Sequence, residues 1–262
     1  MTDPTFQSGN PPWRKPPFKV VVVLPAYNEE ENLGELLERI DQVMTDAGQR
    51  YEVLVVDDGS KDRTFEIAEQ HGRQMPVKVH KHVVNQGLGG TIRDCLTLGA
   101  QMCEDRDIVV SMDADNTHTP ALIPSMVQMV LEGNDVVIAS RYQPGSYIRG
   151  VPWHREMLSI GARWLFQIAF PVHGVRDYTC GFRAYRVPIL KQAIAKYGDQ
   201  FVSEAGFQCM VDILLKMRTM NAIFREAPMV LRYDLKGGVS KMNVARTVWR
   251  TLTLLLRRRF GG

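Results

Sequence analysis

The sequence predicts an α/β fold, a doubly wound and mostly parallel sheet with helices on both faces. Three observations carry this. Short β-branched apolar runs alternate with helical patterns through the first 140 residues. The first run, within Phe18–Leu24, is apolar without polar alternation, as a strand covered on both faces is. Three of the runs also stop at a polar cluster: Pro25-Ala26-Tyr27-Asn28-Glu29, Asp57-Asp58-Gly59-Ser60 and Asp113-Ala114-Asp115. Open sheets of this class bind ligands beyond the carboxyl ends of their strands, so the clusters mark one rim.

Taken in order, Phe18–Leu24 (FKVVVVL) reads as a strand stopped at Pro25. A helix is expected from Asn28 as N-cap, with Glu31 three residues on completing a capping box and Leu33, Leu36, Leu37 and Ile40 forming the buried stripe, as far as about Met44. Tyr51–Val56 is the second strand and about Thr64–His71 its helix. Val77–Val83 is the third strand. Asn85-Gln86-Gly87-Leu88-Gly89-Gly90 then leads into a helix ending near Met102, its glycines read as turn formers because neither G-x-G-x-x-G spacing nor a P-loop lysine is present. Ile108–Met112 is the fourth strand, about Pro120–Leu131 a helix and Val136–Ala139 the fifth strand. Beyond this, 140–150 reads as a loop, Trp153–Phe170 and Val202–Met220 as helices, Asp177–Tyr185 as a compact motif, and Ala222–Arg232 as holding a short strand.

Composition narrows the classes. At 262 residues, 45% hydrophobic and 23% charged, the chain reads as an ordinary globular domain that needs no disulfide or metal to fold. Cys95, Cys103, Cys180 and Cys209 form no C-x-x-C pair or zinc spacing and read as buried thiols. Residues 1–17, rich in proline, read as a disordered arm. The longest apolar stretch, Leu158–Val172, is interrupted by Arg163 and Gln167 and falls short of the ~18–20 residues a bilayer span needs. A nicotinamide site is disfavoured because no G-x-G-x-x-G follows the first strand, and no nucleic-acid partner is expected.

Net charge is only +3, but Arg232–Gly262 alone carries +7. Wound as a helix, 244–260 puts Val244, Val248, Trp249, Leu252, Leu255 and Leu256 on one face and Arg246, Arg250 and Arg257 on another. Such a basic amphipathic helix suits an anionic membrane interface, or a membrane-protein partner. The expected organisation is an arm over 1–17, the α/β domain over 18–235, and a basic loop with an amphipathic helix over 236–262.

Asp113 and Asp115, two apart on an extended segment, can point one way, and paired carboxylates at a strand end suit Mg²⁺ or Mn²⁺. The ordered set PAYNEEENL, VVDDGS, NQGLGG, DADNTHTP, SRY and TCGFRAYR resembles family 2 glycosyltransferases of the GT-A fold, most of all the dolichyl-phosphate or polyprenyl-phosphate mannosyltransferases and glucosyltransferases, over roughly Val20–Met242. The resemblance implies that Pro25, Tyr27, Glu29, Val55 and Asp57 hold the nucleotide. It places Asp113, Ala114 and Asp115 in the D-x-D motif, whose two aspartates coordinate Mg²⁺ or Mn²⁺ on the diphosphate of GDP-mannose or UDP-glucose. Arg141, Arg155 and Ser159 would face a polyprenyl or dolichyl phosphate, with Asp115, Arg141 and Arg155 the catalytic set. Arg232 and Lys241, in R-Y-D-L-K-G-G-V-S-K, would close on the donor. The chain departs from the pattern at Thr117, where relatives often carry Gln or Ser, and at Met210, where relatives often have Glu and Asp212 stands out of register.

The implied activity is metal-dependent, inverting hexosyl transfer to a lipid phosphate by a cytoplasmic protein held peripherally at the inner face of a membrane. A phosphate acceptor needs no general base, because its oxygens are already ionised near pH 7. A hydroxyl acceptor would need one, and Asp177 is the carboxylate to consider. Transfer to a saccharide hydroxyl, and a non-catalytic nucleotide-binding or interaction domain, stay open as alternatives.

Overall fold

A computed structural model describes residues 17–151, 153–206 and 208–235. The arm expected over 1–17, apart from Pro17, and the helix expected beyond 235 lie outside the described residues. Five strands follow the expected order: β1 (Val20–Ala26), β2 (Tyr51–Asp57), β3 (Val77–Lys81), β4 (Ile108–Ser111) and β5 (Val136–Ser140). Between them run α1 (Leu33–Asp46), α2 (Thr64–Gly72), α3 (Gly87–Gln101) and, after a 3-10 turn at Pro120–Leu122, α4 (Ile123–Leu131). The later part adds β6 (Tyr147–Arg149), α5 (Trp153–Ala169), β7 (Arg183–Arg186), α6 (Val187–Tyr197), α7 (Gln208–Arg218), β8 (Phe224–Pro228) and β9 (Val230–Arg232).

The main sheet runs β3-β2-β1-β4-β7-β5-β8. Only β7 is antiparallel to its neighbours, inserted between β4 and β5. From β1 the chain steps outward to β2 and β3, then returns to β4 on the other side, so the switch in strand order falls between β1 and β4. The crevice of a doubly wound sheet opens there. Val20–Leu24 are completely buried, which requires cover on both faces. One cover is α3: a Cβ on Gly99 would meet Val23 Cγ1 at 2.7 Å, so the missing side chain sets how closely α3 lies on β1.

Several expectations change. The first helix begins at Leu33, and Asn28 does not cap it: Asn28 is left-handed (φ 53°), while the Glu29 carbonyl accepts from the Asn32 and Leu33 amides. Glu31 is exposed. This segment is laced instead to the loop after β2, which competes for the same polar groups. Asn28 N–H donates to Ser60 Oγ (2.9 Å), Glu29 N–H to Thr64 Oγ1 (2.8 Å), and Lys61 N–H to Asn28 Oδ1 (2.9 Å). Gly87 does turn the chain (φ 76°), but Gly89 and Gly90 are helical. Gly89 is required by packing, since a Cβ there would lie 2.3 Å from the Glu204 carbonyl oxygen. The helix expected over 202–220 starts only at Gln208, after a 3-10 turn at Gly198–Val202 and a left-handed Gly206 (φ 77°). The loop expected over 140–150 contains β6, which pairs in parallel with β9 some eighty residues on. A three-residue strand with so remote a partner has no local signal.

Candidate functional site

The two aspartates after β2 have different fates. Asp58 is buried and saturated: it accepts from the Gln86 and Gly87 amides (2.7 and 2.9 Å) and meets His82 Nδ1 at 2.8 Å, while His82 Nε2 meets Asp94. It fixes the entry to α3. Asp57 is fully buried, and its Oδ1 accepts from Ser60 N–H at 3.0 Å. Its Oδ2 has no partner among the described residues. A carboxylate oxygen buried without a donor is costly, and a ligand N–H or O–H would relieve it. Tyr27 and Glu29 lie partly exposed just beyond β1, and Glu29 accepts from Asn32 Nδ2 at 2.8 Å. Pro25 pairs in register with Val56, beside Asp57. Val55 pairs in register with Leu24 and its side chain is completely buried in the core, so a nucleotide would meet only its main chain.

The acidic pair sits at the switch point but not on the strand. β4 ends at Ser111, and 114–116 form a bend with Asn116 left-handed (φ 58°), so simple alternation along an extended segment does not aim the two carboxylates. The bend sets them instead. Asp113 donates its N–H toward His118 Nδ1 (3.3 Å), and its side chain is about one-third exposed (35%). Gly181 lies against it: a Cβ there would be 3.1 Å from Asp113 Oδ1, and the Gly181 carbonyl accepts from Ser111 Oγ. Asp115 Oδ1 accepts from Thr117 Oγ1 (2.6 Å) and Thr117 N–H (3.2 Å). Thr117 thus orients the second aspartate. Ala114 is buried beneath the bend, and His118 is buried and stacked on Phe182.

A second chain segment closes on this bend. Arg232 N–H donates to the Thr117 carbonyl (3.0 Å), and Leu231 bridges to His118. Arg232 is thereby placed two residues from Asp115 through the backbone, although it lies 117 positions later in sequence than that aspartate. Its guanidinium lies on Asp234 at 2.9 and 3.0 Å. Lys241 lies outside the described residues.

Arg141 follows β5 and is held bidentately by Asp177, Nε to Oδ2 and a terminal nitrogen to Oδ1, both 2.7 Å, with a further bond to Thr179 Oγ1. Burial by itself would raise the Asp177 carboxyl, but the Arg141 charge and hydrogen bonds outweigh it and hold it below the usual range. The amides of Arg141, Thr179 and Cys180 also point at this carboxylate. Asp177 is therefore a poor proton acceptor and a rigid mount for Arg141, which counts against it as the base that a hydroxyl acceptor would need. Glu226 steadies the mount, accepting from the Arg176 and Asp177 amides (both 2.6 Å) and from Gln143 Nε2. The fully buried Arg183 donates to the carbonyls of Tyr178, Cys180 and Met210 and so fixes the same loop. Asp212 is spent likewise, accepting from Lys216 Nζ, Ser203 Oγ and Ser203 N–H. The motif T-C-G-F-R-A-Y-R was visible in sequence, but the roles of Thr179, Gly181, Arg183 and Glu226 depend on what the fold sets beside them.

Arg155 and Ser159 belong to α5, and their side chains lie outside the described residues. Along the same helix Met157, Trp164, Leu165 and Ile168 are exposed, at the i, i+7, i+8, i+11 spacing of one face.

The donor set is chemically suited to a divalent cation. Asp113 and Asp115 offer hard oxygens on one bend, and the described residues contain no group of three or more His, Cys, Asp or Glu that would complete a protein-only site. Two carboxylates with the remaining positions left to phosphate and water is the way Mg²⁺ is ordinarily bound.

Comparison with known proteins agrees with this geometry. Residues 21–193 match the model of glycosyl transferase family 2. The chain is 35% identical over 241 residues to the dolichol-phosphate mannosyltransferase of Pyrococcus furiosus, covering 92% of this chain but only 63% of that protein. It is 32% identical to the polyprenol monophosphomannose synthase of Mycolicibacterium smegmatis, covering 87% and 83%. Among solved structures, glucosyl-3-phosphoglycerate synthase of Mycobacterium tuberculosis, in complex with Mn²⁺, UDP and glucosyl-3-phosphoglycerate, superposes with a TM-score of 0.66 at 22% identity, covering 94% of this chain and 81% of that one. That likeness establishes the GT-A architecture.

Proposed function

Since the chain belongs to glycosyl transferase family 2, we propose that it transfers a hexose, mannose from GDP-mannose in the favoured case, to a polyprenyl or dolichyl phosphate. The observation that carries the reading is the convergence at the switch point. The Asp113–Asp115 bend, the Asp57 Oδ2 that has no partner among the described residues and the strand bearing Arg232 all lie at or beyond the carboxyl ends of β1, β2 and β4. The names of relatives that act on lipid phosphates support the acceptor class.

In this reading Asp57 Oδ2 accepts a hydrogen bond from the nucleotide, and Tyr27 and Glu29 border it. Asp113 and Asp115 would hold Mg²⁺ or Mn²⁺, and Thr117 orients Asp115. When bound, the cation supplies positive charge against the diphosphate. A phosphate oxygen of the acceptor forms the new bond to the anomeric carbon as the bond to the nucleoside diphosphate oxygen breaks, so configuration inverts. Arg141, kept rigid by Asp177, is assigned to an acceptor phosphate through its remaining guanidinium edge, and Arg155 and Ser159 are assigned to the same group. Arg232 and Lys241 are assigned to the departing diphosphate.

The state of the carboxylates favours a phosphate acceptor over a sugar hydroxyl. Asp177 and Asp212, the two acids considered for the acceptor side, are both fully buried and bound to cations. A lipid monophosphate needs neither.

Among the described residues no helix is long and apolar enough to cross a membrane. We assign attachment at a membrane's inner face to the basic segment 236–262 and the exposed apolar residues of α5, for which a membrane-protein partner is the alternative.

The test is transfer by the purified chain from radiolabelled GDP-mannose and UDP-glucose, each with Mn²⁺ or Mg²⁺, to a short polyprenyl phosphate. An acid-labile, solvent-extractable product is expected, and Asp115→Ala should abolish it without altering the circular dichroism spectrum. A purely water-soluble product would point to a hydroxyl acceptor. Nucleotide binding without turnover would point to a non-catalytic domain, and full activity of Asp115→Ala would remove the metal assignment.

A further inference from the structure

Beside the acidic bend, the small sheet of β6 and β9 aligns two arginines. Arg149 and Arg232 are register partners in parallel strands. Residues so paired stand on the same face with backbones about 4.8 Å apart. Like charges placed there repel, so the arrangement calls for an anion between them. Asp234 supplies it. Its carboxylate accepts twice from Arg232, at 2.9 and 3.0 Å, and lies 3.5 Å from Arg149 Nε. The turn that brings Asp234 in depends on Gly150, left-handed at φ 83°, where a Cβ would stand 2.8 Å from the Asp234 amide nitrogen. The arginines remain accessible, with side chains 60% and 33% exposed.

The position of this triad gives it a use. β9 is bonded to Thr117 at the acidic bend, and β6 ends the loop that Arg141 begins. The pair therefore stands where the donor-side and acceptor-side segments meet. Two guanidinium groups around one carboxylate match the charge and the oxygen spacing that a phosphate group presents.

We propose that Arg149 and Arg232 form a phosphate cradle in which Asp234 is an internal counter-anion that a substrate phosphate displaces. Arg149 thereby becomes a binding residue of the transferase, and Asp234 sets how strongly phosphate must compete to enter. The inference rests on the transfer reading above. The ligand is a phosphate group, from either the nucleoside diphosphate or the polyprenyl phosphate.

Calorimetric binding on the full chain separates the two sources. GDP or UDP with Mn²⁺ is titrated in one arm and a short polyprenyl phosphate in the other, for wild type, Arg149→Gln, Asp234→Asn and the double variant. For at least one ligand, Arg149→Gln should weaken binding by about 3- to 10-fold, the range for an accessible charge-assisted contact. Asp234→Asn should tighten binding of that same ligand, and the gain should shrink when Arg149 is also replaced. The ligand that responds identifies which phosphate enters. Binding of both ligands unchanged within twofold by Arg149→Gln, or weakened by Asp234→Asn, overturns the cradle and leaves the transfer reading intact. A wild-type chain that binds neither ligand overturns both.

Discussion

Replacing Asp177 by Asn tests the mount of Arg141 directly. The side chain keeps its shape and loses its charge. In the native site six donors converge on the carboxylate: two from the Arg141 guanidinium at 2.7 Å, the amides of Arg141, Thr179 and Cys180 at 3.2 to 3.3 Å, and the Thr179 hydroxyl at 3.5 Å. An amide can accept on one edge only, and its NH₂ would face N–H donors on the other. Breaking a buried pair from one side costs about 3–5 kcal/mol. The Arg141 side chain is 22% exposed and can regain some water, so we expect the low end, about 3 kcal/mol. For a chain of this size that is a fall in Tm of about 6–12 °C. Thermal or urea unfolding reads it, and transfer assayed well below the new Tm reads the loss of Arg141 positioning separately. The pH dependence has a definite sign. The folded-state carboxyl is held below its unfolded value, so its stabilisation is fully present above the unfolded pKa of about 3.9 and is lost as pH falls through the folded value. The gap between wild type and variant should therefore be constant near neutrality and close below about pH 4. A variant within 0.5 kcal/mol of wild type at pH 7, as about the scatter of a surface substitution, would refute the reasoning.

Other perturbations follow from the same contacts. Gly89→Ala should destabilise by about 1–3 kcal/mol in urea despite the better helix propensity of alanine, because its methyl would lie 2.3 Å from the Glu204 carbonyl oxygen. The four cysteines should react with a thiol reagent at pH 8 only after unfolding. All are buried, and burial pushes the Cys103, Cys180 and Cys209 thiols up to about 12; rapid modification of the native chain would contradict this. Burial raises the Glu226 carboxyl, with the Asp177 and Arg176 amides only partly offsetting it. Its charged form is thus disfavoured in the fold, and its contribution declines as pH rises from the unfolded value of about 4.3 through the folded one. Glu226→Gln should remove that decline, and chemical denaturation of both proteins at pH 4 and pH 7 measures it.

The five strands of the first 140 residues and the family were legible because their causes are local. A run such as Val20–Leu24 must be buried on both faces wherever it lies, and the strand-ending clusters already marked the rim at which a doubly wound sheet binds ligands. Local pattern misled where a remote partner outbid a nearby one. Asn28 reads as a helix cap, yet its polar atoms are taken by Ser60 and Lys61. Asp113 and Asp115 read as alternating strand residues, yet the left-handed Asn116 turns them on a bend braced by Thr117 and Gly181.

By itself, then, the sequence determined the α/β class, the rim, and the identity of the acids and arginines there. Which of those charges remain available to a ligand was decided by tertiary structure alone. Asp57 keeps an oxygen without a partner among the described residues while Asp58, its neighbour in sequence, is saturated by His82 and the entry to α3. Asp177 is consumed by Arg141, and Arg232 reaches Thr117, beside the acidic bend, from 115 residues away. The physical reason is that a side chain's chemical character travels with the residue, whereas its protonation, orientation and vacancy depend on donors and charges that only long-range packing brings within about 3 Å.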